Sequence, residues 1–502
     1  MFNFAKLFSP SNDQIAALDL GSNSFHLIIA NWNNGQIQLL DRIKESVRMG
    51  WGLQPDGSLD EASYNRAMEC LSRFGERLRG FQPGSVRVVG TKTLRSINTT
   101  NEFLREAELR LGHPVEVVSG EEEARLIYLG VAHNLAPNEQ RKRILMDIGG
   151  GSTEVIIGQG MNLLQKESLS MGCVAITRRF FSDGLVTERQ LKKARIACLQ
   201  ELKPVQDDML ETGWQETMGA SGTIKAVASV CRAQGWSNGE ITAELLSRIQ
   251  QLYLDKGSVE VKIEGLSEDR EPVFLGGVMV LSALFEALQL AEMTAAEWAL
   301  REGLLYDLKG RLVHNDIRDA SVDNLASRYG VNKVKADKVQ KTALGFLSQV
   351  ESAWDLEGES SGKLLAWASQ LYLVGLGITH SDYHKHGAYI VQHVDLAGFS
   401  RQEQRLLSYL VLAHRKRFPV RKFPMENHSL IRLAILLRLA AIIHRGRKIA
   451  ALPEFHLVAN GAKLQLQIPQ KWLNNNPLTQ ADLENEIRYE DEAGYQLEIA
   501  LA

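Results

Sequence analysis

Cysteine is scarce in this chain of 502 residues, and its distribution argues against two kinds of site. The four cysteines lie far apart, with no CxxC pair and no histidine at zinc-binding spacing. This pattern is typical of reduced, buried thiols and does not favour a disulfide framework or a zinc site. We therefore expect a cytoplasmic protein. The four residues are Cys70, Cys173, Cys198 and Cys231.

Long hydrophobic runs are also missing. Two apolar stretches, residues 273–285 and 433–443, are respectively ended by Glu286 and interrupted by Arg438. A transmembrane helix needs about 20 consecutive apolar residues, so neither stretch should cross a bilayer. Residues 1–10 contain one basic residue and no sustained apolar core, unlike a secretory signal. We expect no transmembrane segment, and peripheral membrane association stays an open alternative.

The chain has little net charge, −3 in total, but one region departs from this balance. Residues 401–448 contain twelve Lys and Arg against two Glu and no Asp. Such a cluster would attract an extended polyanion, and the alternative is a solvated face or helix ends that complement their dipoles. No nucleic-acid-binding motif is present, so we expect no specific nucleic-acid partner. The predicted polyanion channel consists of His414, Arg415, Lys416, Arg417, Arg421 and Lys422.

The most informative stretch that is present is a glycine-rich turn at residues 145–157. An apolar strand ends at Asp147 and resumes as a second strand at Glu154, and Gly149, Gly150, Gly151 and Ser152 lie between them. A carboxylate at the end of a buried strand is costly unless something binds it, and glycines let backbone N–H groups close on an anion. The turn therefore indicates a phosphate and metal site, with an ordinary β-hairpin as the alternative.

The same pattern occurs earlier in the chain. Residues 18–29 align with residues 146–157 without a gap, so that Asp19 matches Asp147. This duplication predicts two similar lobes whose loops face each other across a cleft. The first loop consists of Gly21, Ser22, Asn23 and Ser24. Asp19, Asp147 and Glu154 offer hard oxygen ligands suited to Mg²⁺, although each Asp could instead cap its own turn.

The order of predicted elements indicates the architecture. Strands and helices follow the order βββαβαβα from residue 15, with a hairpin turn at 34–35, and the pattern restarts near residue 143. This is the order of an actin-like, ribonuclease-H-like lobe, and a chain of this length should hold several domains. We expect an α/β fold with actin-like lobes at 1–125 and 126–310, an all-α domain at 311–450 and a small α+β domain at 451–502.

Two further segments of the first lobe carry candidate residues. Ser119 and Glu122 have capping-box spacing at the start of a helix, which leaves Glu123 to point elsewhere. Three glutamates in a first turn often only complement the helix dipole, but this helix should lie at the cleft, where Glu123 could accept a proton from an attacking water. After another strand, Lys92 and Arg95 could bind phosphate or could be solvated loop cations.

Taken together, these segments resemble one known family. The matching segments are residues 19–26, 90–95, 119–126, 147–154, 170–174, 219–223 and 300–303. The chain resembles the exopolyphosphatase / guanosine pentaphosphate phosphohydrolase (Ppx/GppA) family, and the long bacterial exopolyphosphatases are nearest in appearance. Their third domain has an HD-like fold. Here the stretch that corresponds to the HD motif, residues 371–375, lacks the His-Asp pair, so we expect no second metal centre there.

The resemblance implies an Mg²⁺-dependent hydrolase that removes a terminal phosphate. It places the catalytic glutamate at Glu123, the phosphate-binding loops at residues 21–24 and 149–152, and a phosphate-contacting arginine at Arg95. It also implies a homodimer.

Our main hypothesis for the substrate is inorganic polyphosphate, cut processively, because the basic region suits a long polyanion. The first alternative is guanosine pentaphosphate (pppGpp), hydrolysed to ppGpp. A non-catalytic nucleotide sensor is a further alternative, and so is a kinase of the same superfamily.

Overall fold

The structure is a computed structural model that describes residues 14–33, 36–135, 140–313, 316–446 and 452–501. The predicted turn at 34–35 and the N-terminal segment 1–10 lie outside these residues. The chain divides into two compact units, of which the first ends at Asp316 and the second begins at Ile317.

The first unit begins with a five-stranded sheet of order β3-β2-β1-β4-β5. Its strands are β1 Gln14–Leu20, β2 Phe25–Asn33, β3 Gln36–Glu45, β4 Val86–Gly90 and β5 Val115–Val117. The first three strands pair antiparallel, whereas β1, β4 and β5 run parallel. The accompanying helices are α1 Met49–Gly52, α2 Glu61–Leu78, α3 Lys92–Ser96, α4 Thr100–Leu111 and α5 Gly120–Ala132.

A second sheet repeats this topology in the order β10-β9-β6-β7-β8. Its strands are β6 Lys142–Ile148, β7 Thr153–Gln159, β8 Asn162–Leu169, β9 Glu216–Gly219 and β10 Thr294–Ala295. The helices of this lobe are α6 Cys173–Phe180, α7 Glu188–Thr212, α8 Gly222–Ala233, α9 Ala243–Lys256, α10 Glu271–Ala287 and α11 Leu300–Leu312. The predicted duplication is confirmed down to the register, because Asp19 pairs with His26 across β1 and β2 just as Asp147 pairs with Glu154 across β6 and β7.

Helices α5 and α11 join the two lobes. One hydrophobic core cluster includes Ala17 of β1, Ile127 of α5, Leu145 of β6 and Leu304 of α11, so both sheets share it. Buried Asp307 of α11 also accepts hydrogen bonds from arginines of the first lobe, Arg87 and Arg125. The cleft between the lobes therefore closes on a common, tightly packed base.

The second unit is mainly helical and ends in a three-stranded sheet. Its helices are α12 Ile317–Arg328, α13 Lys333–Val350, α14 Glu359–Leu371, α15 Tyr383–His393, α16 Arg401–Ala413, α17 His428–Ile443, α18 Gln470–Asn474 and α19 Pro477–Asp491, with 3-10 helices at Val374–Gly377 and Val420–Lys422. The strands β11 His456–Asn460, β12 Lys463–Ile468 and β13 Gln496–Leu501 form a sheet of order β11-β12-β13.

The three boundaries between the four predicted domains stay predictions, and two observations bear on their position. Residue 125 lies inside α5, so the first lobe does not end at a loop there. In the second unit one core contains Leu437 of α17 together with Leu466 of β12, so the helical and the α+β parts are packed as one body.

The apolar stretches 273–285 and 433–443 form the buried helices α10 and α17. Within the described ranges, no helix combines the length and the apolar character needed to span a membrane. The short helices α3 and α6 were not predicted.

The crossing of α5 and α11 generates a prediction. A Cβ added at Gly303 would overlap the carbonyl oxygen of Leu126, because the two backbones touch at this point. We expect Gly303→Ala to lower the free energy of unfolding by about 1–3 kcal/mol. Urea denaturation of the two proteins measures the difference.

The matched control is Gly345→Ala in α13, where the added Cβ meets open space. Alanine is the better helix former, so this variant should be neutral or more stable by about 0.5–1 kcal/mol. Equal effects of the two substitutions would contradict the close approach of α5 to α11.

Candidate active site

The ends of β1 and β6 open into one cleft of about 330 Å³ in the first unit. Both lobes line it, and nine of the predicted site residues are among the lining side chains and backbone groups. These are Asp19, Gly21, Ser22, Lys92, Glu123, Asp147, Gly149, Gly150 and Ser152. The duplicated loops therefore face each other, as the sequence predicted, and Glu123 lies in the gap between them.

Close approach of the two loops accounts for their glycines. A Cβ on Gly150 would come within 2.8 Å of the Ser22 Cβ, so a larger residue would push the loops apart. The Gly149 N–H donates to the Ser152 carbonyl at 2.9 Å and closes the second turn on itself. Three predicted loop residues, Asn23, Ser24 and Gly151, do not line the cleft. Asn23 and Ser24 belong to the first loop, but they are buried.

Glu123 is held in place by Arg95. It lies in the first turn of α5, whose N-cap Ser119 accepts a hydrogen bond from the Glu122 N–H. The Glu122 carboxylate accepts hydrogen bonds from Arg125 at 2.7 Å. The Glu123 Oε2 accepts from Arg95 Nη1 at 2.8 Å, and the same nitrogen donates to the Val118 carbonyl at 3.0 Å. Arg95 is thus engaged with Glu123 and does not line the cleft. Burial raises the pKa of Glu123, while Arg95 and then Lys92 lower it.

Lys92 does line the cleft and bridges the lobes. It begins the short helix α3, and its Nζ donates to Ser170 Oγ of the second lobe at 3.1 Å. Burial lowers the pKa of its ammonium, and the neighbouring Arg95 lowers it further. A partly desolvated lysine that faces two loops of backbone N–H groups suits a phosphate oxygen.

The carboxylates at the loops are strongly perturbed. Burial, followed by the nearby Glu123, raises the pKa of Asp19 to about 7 and that of Asp147 to about 6. Asp19 Oδ1 is buried and, among the described residues, has no hydrogen-bond partner. Such groups are stabilised by a bound cation, so Asp19 and Asp147 are the residues that would hold a metal ion in this cleft.

Glu154 is placed differently from the two aspartates. It is buried beside the cleft rather than lining it, and its Oε1 accepts from Ser168 Oγ at 2.8 Å. Burial raises its pKa well above the usual value, and Glu123 and Asp147 raise it further. In the part of the chain that the structure describes, no three His, Cys, Asp or Glu side chains form a ready-made metal-binding group.

A cationic side of the cleft was not predicted. Its residues are Lys44, Lys225, Arg270 and Arg301, together with His26. Arg301 Nη1 lies 2.9 Å from His26 Nδ1, and burial lowers the pKa of this histidine well below its usual value. The matching segments 219–223 and 300–303 pointed to part of this side. Lys44 and Arg270 lie in no motif, and only the fold brings them to the cleft.

Family models match both units of the chain. The model of the Ppx/GppA phosphatase family matches residues 28–312, and that of Ppx/GppA phosphatase domain III matches residues 317–487. The chain belongs to the Ppx/GppA phosphatase family. As a Ppx/GppA phosphatase it is a phosphoanhydride hydrolase on an actin-like fold, which confirms the family and the fold expected from the motifs.

Individual relatives of this Ppx/GppA phosphatase carry two different names. A guanosine-5′-triphosphate,3′-diphosphate pyrophosphatase of Vibrio vulnificus is 39% identical over 490 residues, covering 96% of this chain and 97% of that protein. A solved exopolyphosphatase from Cytophaga hutchinsonii is 25% identical with a TM-score of 0.54, covering 59% of this chain and 98% of its own. A solved exopolyphosphatase-like protein has the same TM-score at 22% identity, covering 60% and 98%, and this similarity concerns the fold alone.

In the second unit, the predicted polyanion channel needs one correction. His414 is buried, its Nδ1 is 2.6 Å from the Val411 carbonyl oxygen, and burial lowers its pKa to about 3, so it is neither exposed nor charged. His414 directly follows α16 and packs against the core. The sequence His-Arg-Lys-Arg at 414–417 gives no sign that its first residue is buried.

The remaining basic residues border a cavity of about 830 Å³ or lie next to it. Lys416 pairs with Asp382, Arg417 pairs with Glu492 at 2.7 Å, and the Arg415 guanidinium lies 4.4 Å from the centre of the Tyr383 ring. Arg421 and Lys422 line the same cavity and are exposed. The surface is basic, but acidic partners offset part of its charge.

The buried histidine predicts a pH effect on the second unit. The folded pKa of His414, about 3, lies below the value of about 6.5 expected in the unfolded chain. Its neutral form therefore stabilises the fold above pH 6.5, and this contribution is lost as the pH falls toward 3. We expect a loss of about 1.4 kcal/mol per pH unit from this residue, measured by urea denaturation between pH 7 and pH 5.

His414→Phe removes the titrating group, so its stability should fall less over the same pH interval. His456→Gln changes an exposed histidine and serves as the control, which should follow the parent protein. A pH dependence that is identical in the His414→Phe variant and the parent protein would argue against this assignment.

Proposed function

We propose that this phosphatase removes the terminal 5′ phosphate of pppGpp and releases ppGpp. The observation that carries the proposal is the 39% identity, over nearly the full length of both chains, to the Vibrio vulnificus guanosine-5′-triphosphate,3′-diphosphate pyrophosphatase. From the sequence we expected polyphosphate as the main substrate, because of the basic region, and pppGpp as the alternative. The present proposal reverses that order.

Polyphosphate is the second candidate. Arg421 and Lys422 lie exposed at the basic cavity of the second unit, and a basic surface of this kind attracts a long polyanion. The similarity of fold to the Cytophaga hutchinsonii exopolyphosphatase supports the same chemistry at the cleft but not a choice between the two substrates.

Glu123 is proposed as the general base. Its carboxylate lines the cleft, and its 2.8 Å contact with Arg95 fixes its direction and favours its ionised form. A desolvated carboxylate with a raised pKa is a better proton acceptor than an exposed one, so it can take a proton from water as that water attacks phosphorus. Arg95 is then a positioning residue, in place of the phosphate clamp expected from the sequence.

The loops and the cations of the cleft are proposed to hold the phosphates. Backbone N–H groups at residues 21–24 and 149–152 suit the oxygens of the terminal group, and Lys92 adds a positive charge at the same place. Lys225, Arg270 and Arg301 also line the cleft, and we assign to them the stabilisation of the negative charge that shifts toward the leaving group as the bond breaks.

Mg²⁺ is proposed as the cofactor, with Asp19 and Asp147 as the residues that would hold it. The buried, unpartnered Oδ1 of Asp19 is the observation that supports this assignment. Bound there, the ion would supply charge neutralisation on the phosphates. Glu154 belongs to the same acidic group, and its hydrogen bond from Ser168 keeps it oriented beside Asp147.

Replacing the proposed base tests the mechanism. We expect Glu123→Gln to lower kcat for pppGpp by about 10²- to 10⁴-fold, because the amide cannot accept the proton, while KM changes little. The matched control is Glu121→Gln in the same helical turn, whose carboxylate pairs with Lys166 at 3.1 Å. It should retain nearly full turnover. If Glu123→Gln kept the parent kcat, the role of Glu123 as base would be wrong.

A substrate comparison tests the proposed function itself. Phosphate release is measured at equal enzyme concentration from pppGpp and from long-chain polyphosphate, with the Glu123→Gln protein beside the parent. We expect the higher kcat/KM with pppGpp. The double variant Arg421→Glu, Lys422→Glu should impair only the hydrolysis of polyphosphate. Release of phosphate from polyphosphate alone would restore the order expected from the sequence.

A further inference from the structure

A second groove, of about 580 Å³, opens in the first unit beside the cleft. Its lining consists of Ser46, Arg48, Trp51, Arg66 and Pro272. The first four belong to the first lobe, whereas Pro272 lies at the start of α10 in the second lobe. Nothing in the proposed phosphate chemistry uses this groove or its tryptophan.

The groove and the cleft share their walls. The Gly50 N–H, next to Trp51, donates to the Ser22 carbonyl at 2.7 Å, and the Arg48 N–H donates to the Asn23 carbonyl at 2.8 Å. On the opposite wall, Arg270 lines the cleft and Pro272, two residues later, lines the groove. The groove therefore lies next to the first loop, where the phosphates of a substrate would bind.

The segment that carries Trp51 is fixed in position. Arg178 of the second lobe donates from Nη1 to the carbonyls of Gly50 and Leu53, at 2.7 and 2.9 Å. Trp51 packs against Val174 and Val273 and stays half-buried. A rigid aromatic side chain with part of its surface in an open groove offers a stacking surface at little entropic cost.

The groove differs from the cleft in chemistry. Among the described lining residues of the cleft there is no Phe, Tyr or Trp, so its contacts suit phosphate. The groove combines a tryptophan with two arginines, Arg48 and Arg66, which are both exposed. Aromatic rings stack on nucleobases, and an arginine side chain can donate two hydrogen bonds to O6 and N7 of guanine, whereas adenine presents a donor in place of O6.

We propose that this groove is the base subsite of a purine nucleotide substrate, with Trp51 as the stacking surface and Arg48 as the group that favours guanine. The inference rests on the proposed function, and it names where the nucleoside lies rather than where the phosphates lie. Inorganic polyphosphate has no base, so the groove contributes nothing specific to its binding.

The test compares two substrates in each variant. kcat/KM is measured for pppGpp and for inorganic tripolyphosphate with the parent protein, Trp51→Ala and Trp51→Phe. We expect Trp51→Ala to lower the ratio of the two values by about 5- to 100-fold, mainly through KM for pppGpp, and Trp51→Phe to restore most of it. Trp236→Ala, which changes another half-buried tryptophan far along the chain, controls for destabilisation and should leave the ratio unchanged.

A second variant keeps the test independent of the folding of Trp51→Ala. Arg48 is exposed, so Arg48→Ala should fold, and it should reduce the preference for pppGpp over its adenine analogue by about 5-fold or more. If the parent protein hydrolyses pppGpp but neither variant alters these ratios, the base subsite is overturned while the proposed function stands. If the parent protein does not hydrolyse pppGpp, the proposed function fails and the base subsite with it.

Discussion

The arrangement of the cleft depends on two buried carboxylates that lie close together in it. Asp19 and Asp147 stand at the ends of equivalent strands, and burial together with Glu123 raises the pKa of each. An arrangement of this kind is unfavourable in isolation, since every carboxylate disfavours the ionised form of its neighbours. Arg301 offsets part of this cost at both aspartates, and Lys225 and Arg270 offset more of it at Asp147, where a phosphate and a cation would bind.

Much of the fold could be predicted from the sequence because it is repeated. A gap-free match of residues 18–29 with 146–157 constrains two lobes at once, and the strand pairs of Asp19 with His26 and Asp147 with Glu154 follow from it. The repeat also explains an asymmetry. The position after the loop holds a histidine in the first lobe and a glutamate in the second, so the two halves of the cleft differ in charge although their backbones correspond.

The rest of the site could not be predicted, for physical reasons. Lys44 and Arg270 are far from any motif, and they reach the cleft only because β3 and the start of α10 are brought to its rim. The family resemblance placed a phosphate contact at Arg95, whereas in the structure its guanidinium donates to Glu123. His414 belongs to a run of four basic residues, yet at the end of α16 its side chain is buried in the core. A sequence shows where basic residues cluster along the chain. Which of their side chains face a ligand depends on burial, and burial is set by the fold.

The crossing of α5 and α11 has a consequence for the chemistry at the other end of α5. Glu123 lies seven residues before Gly130, and a Cβ at Gly130 would overlap the carbonyl of Ala299, the residue before α11. At about 1.5 Å per residue, this contact lies roughly 10 Å from the turn that carries Glu123. Leu126 touches Gly303 of α11 closer to that turn, so α11 supports α5 along its length. Residues outside the cleft therefore fix the position of Glu123 relative to the two loops.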